Sequence, residues 1–456
     1  MVSLFNCYKI ILLFQIERKK SFYKIWIKRL FLFILYIMIR IILKPSKLIS
    51  IIMKRGFHMN ESIRKVQFQL EEQLPEVIEW RRYLHQHPEL SFQEKKTSQF
   101  ILNELKKLPL DIKENVGGYG IVATLRGKSV GPVVAFRADF DALPIQDLKD
   151  VAYKSKNDGI SHACGHDGHS AALLGFAKVL SKFKEQLHGA IVFIFQPAEE
   201  LPPGGAKFMI EEGALEGVDV IFGAHLDTSE PTGTISIGAG YQMAAVDRFK
   251  ITLQGLGGHG ARPHETKDAI VLGSKIISDL QQIVSRRIDP FSPAVVTVGI
   301  FQSGSAFNII ADSAVIEGTV RTMTNDVRTK IQEEIELIVS KAAEGAHATY
   351  DLEYINGYPA LYNHPVESEL VTQLASDLQV KALQPVMGAE DFSYYLLERP
   401  GTYFRVGAHN EQESTQFSHH HPKFDFDEKA LLNMQQTFLK IAAHYVLKEE
   451  EVHAEI

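Results

Sequence analysis

Residues 161–170, SHACGHDGHS, place a thiol, several imidazoles and a carboxylate directly before an apolar pattern that is typical of a helix. Alternate residues of an extended segment face the same side. We therefore expect Cys164 and His166 to face one point, where thiolate and imidazole are common ligands of zinc-like ions. We also expect Asp167 or Ser170 to cap the helix that follows.

Carboxylates and a further imidazole follow three other apolar runs. Asp139 and Asp141 follow VVAFR, and His225 follows VDVIFG. The run AIVFIF is followed by Glu199 and Glu200. Ligands of open α/β sheets bind beyond the carboxyl ends of the strands. We therefore expect these groups to gather at one rim, where thiolate, imidazole and carboxylate together suit a Zn-like or Mn-like ion.

Each of these residues also has a purely structural interpretation. Cys164 taken alone is more often a small buried hydrophobic residue, and carboxylates after strands are often turn or helix-start residues. A single histidine such as His225 more often packs in a core, and the triplet at 419–421 more often lies in a surface loop. The placement of the whole set at predicted strand ends favours a metal site.

The adjacent residues Glu199 and Glu200 suggest a division of labour at such a site. One carboxylate binds the metal, while its neighbour takes a proton from a water molecule that the metal acidifies. The residues therefore favour metal-assisted hydrolysis of an amide.

The elements that must position these residues have the pattern of an α/β fold. Apolar residues have helical spacing from 62 to 108, and unalternating apolar runs at 120–125, 133–137, 190–195 and 218–223 suit strands covered on both faces. Helical patterns separate several of these runs, which indicates a mainly parallel sheet.

A different order, β-α-β-β-α-β, covers residues 247–361 and predicts an inserted α+β domain of the split βαβ, ferredoxin-like type. We expect it to separate two parts of one larger domain, 59–246 and 362–456. Residues 1–58 are expected to be an upstream extension outside the fold, with Met59 as the start. A basic amphipathic membrane anchor is the alternative for this segment.

Composition narrows the classes of partner. The chain has 456 residues and a net charge of −6, but residues 1–58 hold twelve basic residues and one acidic residue, so the remainder, with 37 basic and 54 acidic residues, carries −17. That acidic body argues against nucleic acid as a partner. Only two cysteines, Cys7 and Cys164, are present, which excludes a disulfide framework and favours a reducing, cytoplasmic location.

From about residue 70 to residue 445 the chain closely resembles the M20 peptidase group, in the subgroup of N-acyl-amino-acid amidohydrolases, hippurate hydrolases and auxin-conjugate hydrolases. The matching motifs, in family order, are RRYLHQHPELSFQE, FRADFDALPI, HACGHDGHSAALLG, FQPAEE, GGHGARPH, FNIIADSAVIEGTVRT, MGAEDFSYY and HHHPKFDFDE. The resemblance implies a zinc-peptidase-like catalytic domain and makes the insertion a lid and dimerisation domain.

The resemblance also implies that one or two divalent metal ions (Zn, Mn, Co or Ni) bind to five residues, namely Cys164, His166, Glu200, His225 and His420. Among the three adjacent histidines the middle one is chosen because the ligand of the family lies two residues before a proline, here Pro422. Glu199 is implied to act first as general base and then as general acid.

Further roles come from the same resemblance. Asp141 matches an aspartate that orients a group facing the metal, and His259 matches a residue that stabilises the oxyanion in the site of a neighbouring subunit. Asn308 and Arg321 resemble lid residues that hold the substrate carboxylate. The glycines around His259 could equally form a flexible turn, and Asn308 and Arg321 could equally be structural strand residues.

The function implied is hydrolysis of N-acyl amino acids, which are small-molecule substrates. The active form is expected to be a homodimer or a higher oligomer. We expect neither nucleic acid nor a membrane as a partner. Alternatives are a dipeptidase or an N-acetyl-diaminopimelate-type deacetylase on the same site, or a non-catalytic metal-binding protein. One departure concerns the stretch after His225, LDTSEPTG, where many relatives carry an aromatic residue and a proline. That departure leaves the acyl-group specificity open.

Overall fold

The computed structural model describes residues 61–447, so the expectations for residues 1–58 lie outside the described part of the chain. Within it, the α-helices are α1 (Glu61–Gln86), α2 (Lys95–Leu105), α3 (His166–Ser181), α4 (Gly205–Glu211), α5 (Ala269–Gln282), α6 (Asn325–Gly345), α7 (Pro365–Leu374), α8 (Ser393–Glu398) and α9 (Ala430–Val446). None of the helices between residues 61 and 447 is both long and apolar enough to span a membrane.

The strands of the described residues range from two to twelve residues in length. They are β1 (Asp111–Val116), β2 (Gly120–Arg126), β3 (Ser129–Asp139), β4 (His188–Gln196), β5 (Val220–Pro231), β6 (Thr234–Ile237), β7 (Gly240–Met243), β8 (Ala245–Gln254), β9 (Gly258–His259), β10 (Ala294–Ser303), β11 (Ile309–Ile310), β12 (Ser313–Thr322), β13 (Thr349–Asn356), β14 (Leu361–Asn363), β15 (Gln379–Ala382) and β16 (Gly401–His409).

Eight of these strands form the main sheet, in the order β1-β2-β4-β3-β5-β16-β6-β15. The central strands β4, β3, β5 and β16 are parallel, whereas β1 pairs with β2, β2 with β4 and β6 with β16 in antiparallel register. The predicted α/β fold with a mainly parallel sheet is confirmed. The parallel centre brings the carboxyl ends of β3 and β4 to one edge of the sheet.

Both faces of the main sheet are covered, which explains the unalternating apolar runs. On one face Phe136 and Phe193 pack in a core that also includes residues of α1, α2, α3 and α9. On the other face Ala135 and Val192 pack with residues of α4 and α8. Every residue of such a strand is buried, so its sequence has no polar alternation.

The second sheet is antiparallel and has the order β10-β12-β8-β13. With α5 and α6 it forms what we call the small α+β unit, whose elements follow one another as β-α-β-β-α-β. Its separate core contains Phe249, Ile251, Ile276 and Ile335. Leu361 and Asn363 of β14 already pair with β7, at the return to the main sheet.

Candidate metal centre

A cavity of about 570 Å³ opens at the carboxyl edge of the main sheet. Residues of both sheets line it: Cys164, Glu199, Glu200, Pro202, His225, Asp227, Met243, Val246, Arg321, Tyr358, Val386, Gly388, Ala389, Glu390, Tyr403, Arg405, His419 and His420. The cavity therefore contains a thiol, imidazoles, carboxylates and two guanidinium groups within one enclosure.

Cys164, His166 and His225 each offer a ligand atom, and these three atoms lie within 4.8 Å of one another. The Sγ atom of Cys164 is 3.4 Å from Nε2 of His225. The other ring nitrogen of His225, Nδ1, lies 2.6 Å from the carbonyl oxygen of Leu226. Nδ1 therefore donates to that carbonyl, which leaves the Nε2 lone pair directed to the cavity.

His166 has its tautomer set in a similar way by a carboxylate. Its Nδ1 lies 3.1 Å from Oδ1 of Asp141 and donates to it, so Nε2 is the nitrogen available to a metal ion. The second oxygen of Asp141 accepts hydrogen bonds from the backbone N–H of Glu200 and from the hydroxyl of Ser91. Asp141 thus holds two neighbouring site residues, the arrangement expected of a group that orients ligands.

The carboxylate of Glu200 lies near both His166 and His420. Its Oε1 atom is 3.9 Å from Nε2 of His166 and 3.2 Å from Nε2 of His420. The ligand atoms of Cys164, Glu200 and His420 also lie within 4.8 Å of one another. Among residues 61–447, no donor is aligned for a hydrogen bond to the buried Oε1 of Glu200, which is the condition of a carboxylate oxygen placed to bind a cation.

The three adjacent histidines of the 419–421 segment have different environments. Nε2 of His419 lies 2.8 Å from the carbonyl oxygen of Leu226, to which it donates, and the ring of His421 stacks on Phe417. His420, which has a left-handed backbone φ of 65°, faces Glu200 instead. The position of its imidazole agrees with the predicted ligand role, which stays a prediction.

The donor set fits a divalent metal ion. Burial raises the pKa of the Cys164 thiol, and the carboxylates of Glu200 and Glu199 raise it further. A cation among these groups reverses that effect, because it stabilises thiolate and carboxylates together. One sulfur, three imidazole nitrogens and a carboxylate oxygen are within the ligand sets of Zn²⁺ and related first-row ions.

Glu199 is buried beside Glu200 and belongs to a second acidic group with Glu390 and Asp391. Burial raises the pKa of its carboxyl, and the charges of Glu390 and Glu200 act in the same direction. The hydroxyl of Tyr358 donates to the backbone carbonyl of Glu199 at 2.6 Å. The backbone is thereby fixed while the side chain stays in the cavity wall, where it can exchange protons.

Arg137 and His169 also lie at the site, although neither is predicted from the sequence. The Arg137 guanidinium contacts Asp139 at 2.6 Å, Asp391 at 2.7 Å and Glu390 at 3.1 Å, and so joins the FRADFD and MGAEDF motifs. His169 donates from Nδ1 to Asp139 at 2.6 Å and accepts from the Leu226 N–H on Nε2. Its spacing of three residues from His166 along a helix was the available signal.

Two expectations about the first turn of α3 are wrong. Neither Asp167 nor Ser170 caps the helix: Asp167 accepts from Arg81 and His85, and Ser170 donates to the carbonyl of Asp139. The preceding segment is not extended either, because Gly165 has a φ of 89°. A sharp turn at Gly165, rather than strand alternation, brings the flanking ligand atoms together.

His225 also differs from its expected place. It lies within β5, which continues to Pro231 because β16 pairs with it as far as that residue. The imidazole therefore reaches the cavity from the middle of a strand and not from a loop after it.

The residues predicted for the substrate separate into two groups. Arg321 of β12 is half-buried and lines the cavity. His259 and Asn308 are exposed and do not line this cavity in the described chain. His259 lies on β9 and pairs with Ile309 of β11, and Asn308 directly precedes β11, where its carbonyl accepts from the Gly260 N–H. Their predicted roles stay predictions.

The chain belongs to the peptidase family M20/M25/M40, whose model matches residues 135–444. The chain is 49% identical over 386 residues to YhaA of Bacillus subtilis, named only as an amidohydrolase, an alignment that covers 84% of this chain and 98% of the relative. It is 46% identical over 289 residues to the N-acyl-L-amino acid amidohydrolase of Geobacillus stearothermophilus, covering 63% of this chain and 78% of that one.

A solved structure gives the same result for the fold. The crystal structure of YXEP from Bacillus subtilis, described as a dinuclear metal binding peptidase, matches with a TM-score of 0.71 and 35% identity, covering 82% of this chain and 98% of that one. The predicted membership of the M20 group is confirmed.

Proposed function

We propose that this protein is a metal-dependent amidohydrolase that cleaves the amide bond of N-acyl amino acids and releases a carboxylic acid and a free amino acid. The observation that carries the proposal is the pair Glu199 and Glu200, which lines one cavity with Cys164 and His225 and has its ligand atoms within 4.8 Å of that of His166. The name of the Geobacillus relative, an N-acyl-L-amino acid amidohydrolase, supports the substrate class.

We infer that Cys164, His166, Glu200, His225 and His420 hold one or two divalent ions. When bound, such ions supply Lewis acidity that polarises the amide carbonyl and lowers the pKa of water. Asp141 keeps the imidazole of His166 in the required tautomer through the 3.1 Å contact to Nδ1.

Glu199 is proposed as the proton carrier. Its carboxylate accepts the proton of the attacking water and returns it to the departing amine. Burial beside Glu390 and Glu200 raises its pKa, which strengthens it as a base, although a cation bound to Glu200 moderates that effect.

Arg321, which lines the cavity, is proposed to bind the α-carboxylate of the substrate through bidentate hydrogen bonds. His259 and Asn308 are exposed, and we propose that they complete the site of a second copy in a homodimer, with His259 donating to the oxyanion. A reduced Cys164 as ligand also favours a cytoplasmic location.

Amine release from a panel of N-acetyl, N-benzoyl and longer N-acyl amino acids tests the proposal, with and without a chelator. We expect chelator-sensitive release, and we expect Glu199→Gln to lower kcat by about 10²–10⁴-fold without loss of bound metal. Metal content by mass spectrometry provides the control.

Two results would contradict the proposal. Release that survives complete metal removal would exclude a metal-dependent reaction. A Glu199→Gln protein that binds metal and keeps wild-type kcat would remove Glu199 from the mechanism and favour another proton acceptor.

A further inference from the structure

Beside the ligand His225, strands β5 and β16 present an ion pair to the cavity. The two strands are parallel, and Arg405 is the register partner of His225. Residues two apart on a strand face the same side. Asp227 therefore faces the cavity with His225, and Arg405 faces it with Tyr403, in agreement with the cavity lining.

Arg405 is held in place but incompletely paired. Its Nη1 donates to Oδ2 of Asp227 at 3.0 Å. The other carboxylate oxygen of Asp227 accepts from the N–H and the hydroxyl of Ser229. Among the described residues the Asp227 contact is the one hydrogen bond of the Arg405 guanidinium, although a guanidinium has five N–H donors.

The surroundings of Arg405 favour a ligand over water alone. Its side chain is 23% exposed and that of Asp227 is 6% exposed, so the pair is largely withdrawn from solvent. A guanidinium fixed by one carboxylate loses little further freedom when it binds a second planar anion. The remaining N–H groups are therefore arranged for a carboxylate that enters the cavity.

A second guanidinium lines the same cavity from the small α+β unit. Arg321 is half-buried and lines the cavity, and no described residue between 61 and 447 accepts a hydrogen bond from its guanidinium. The substrate class already proposed has one α-carboxylate, which Arg321 is proposed to bind. Arg405, on the main sheet, remains available for another anionic group.

We propose that Arg405, oriented by Asp227, is a specificity-determining residue that binds a second carboxylate of the substrate. This proposal rests on the proposed function. The preferred substrates are then N-acyl amino acids with two carboxylates. The second carboxylate belongs either to the acyl group, as in an N-succinyl amino acid, or to the amino-acid side chain, as in N-acetylglutamate.

The experiment compares three substrates with the full-length, metal-loaded enzyme: N-succinyl-L-alanine, N-acetyl-L-glutamate and N-acetyl-L-alanine. We expect one of the two dicarboxylates to exceed N-acetyl-L-alanine in kcat/KM by about tenfold or more. The preferred dicarboxylate identifies which side of the amide faces Arg405. Arg405→Gln should erase this preference, and a matched control, Arg126→Gln, should keep it because Arg126 is exposed on β2 and pairs with Asp111 outside the cavity.

A binding measurement keeps the inference testable without turnover. Calorimetry with the metal-loaded Glu199→Gln protein should show tighter binding of the preferred dicarboxylate than of N-acetyl-L-alanine, and the added change Arg405→Gln should abolish the difference. Chelator-sensitive release without any dicarboxylate preference would overturn this inference and leave the proposed function intact. An equal loss for all three substrates in Arg405→Gln would also overturn it, since that result indicates a structural ion pair.

Discussion

The arginines behind the candidate metal centre differ from those on the cavity wall. Arg81 is fully buried and contacts Asp425 at 2.7 Å, Asp167 at 2.9 Å and Glu428 at 3.1 Å. Arg137 likewise contacts three carboxylates. In the described chain, by contrast, the Arg405 guanidinium has a single carboxylate partner, and the Arg321 guanidinium has no hydrogen-bond acceptor.

The difference separates two uses of the same side chain. In Arg81 and Arg137 each of the three guanidinium nitrogens has an acceptor; we call such a buried guanidinium saturated, and it joins elements of the fold. Arg81 joins α1 to α3 and to the segment before α9 in this way. A guanidinium with free donors beside candidate metal ligands has capacity for an external anion. Incomplete pairing, rather than burial, is therefore the ground on which we propose Arg321 and Arg405 as anion-binding residues.

The largest change in the free energy of unfolding is expected from Arg81→Met, which removes a saturated guanidinium. The buried carboxylates of Asp167 and Asp425 would lose their cationic partner, and breaking such a pair costs about 3–5 kcal/mol. We expect the free energy of unfolding to fall by that amount, measured by urea titration at neutral pH. A loss below about 1 kcal/mol would show that the saturated network contributes no more than a surface pair does.

The pH dependence of that loss gives a sharper test. Burial alone would raise the pKa of the Asp425 carboxyl, but Arg81, Tyr153 and Lys149 lower it below its ordinary value. A lowered folded-state pKa stabilises the protein above the unfolded pKa of about 3.9, and this contribution is lost as the pH falls toward the folded-state pKa. The difference in unfolding free energy between wild type and Arg81→Met should therefore be largest at neutral pH and shrink below about pH 4.

A smaller loss of stability is expected at Gly165, where backbone geometry and not charge positions the ligand atoms. Gly165 has a φ of 89°, and an added Cβ would meet no atom closer than 3.7 Å. Gly165→Ala should therefore destabilise the fold through the left-handed φ alone, by about 1–2 kcal/mol. Relief of that strain moves Cys164 relative to His166, so we also expect weaker zinc binding in a competition titration.

Gly118→Ala is the matched control. Gly118 has a φ of 98° in the turn between β1 and β2, and an added Cβ would have no neighbour within 4 Å. It should lower the thermal midpoint about as much as Gly165→Ala and leave zinc affinity unchanged. Equal zinc affinity in both variants would show that the turn at Gly165 does not set the ligand geometry.

Elements with a local signal in the sequence were predictable, whereas contacts between residues far apart in the chain were not. The run AIVFIF predicted a strand because both faces of β4 are buried. In contrast, β1 (DIKENV) has mostly exposed or partly exposed residues and gave no apolar signal. The partners of Arg405 and Arg137 lie 178 and up to 254 residues away in the chain, so no spacing could reveal those pairs.

The same distinction holds within the candidate site. Cys and His are common metal ligands, so a ligand cluster at Cys164 and His166 was predictable from residue type and spacing in the sequence. The helix cap was predicted wrongly because Asp167 is engaged by Arg81, a residue 86 positions earlier. Long-range charge pairing overrode the local capping preference of an aspartate.

The smallest change in the free energy of unfolding is expected from the exposed ion pair between Arg126 of β2 and Asp111 of β1. Arg126 contacts Asp111 at 2.7 Å, a distance as short as that between Arg81 and Asp425, but its side chain is 71% exposed. Water screens both charges already, so Arg126→Gln should change the free energy of unfolding by less than about 1 kcal/mol. Urea titrations at low and high salt measure this difference beside Arg81→Met. If Arg126→Gln proved as costly as Arg81→Met, contact distance rather than saturation and burial would determine the contribution of each arginine.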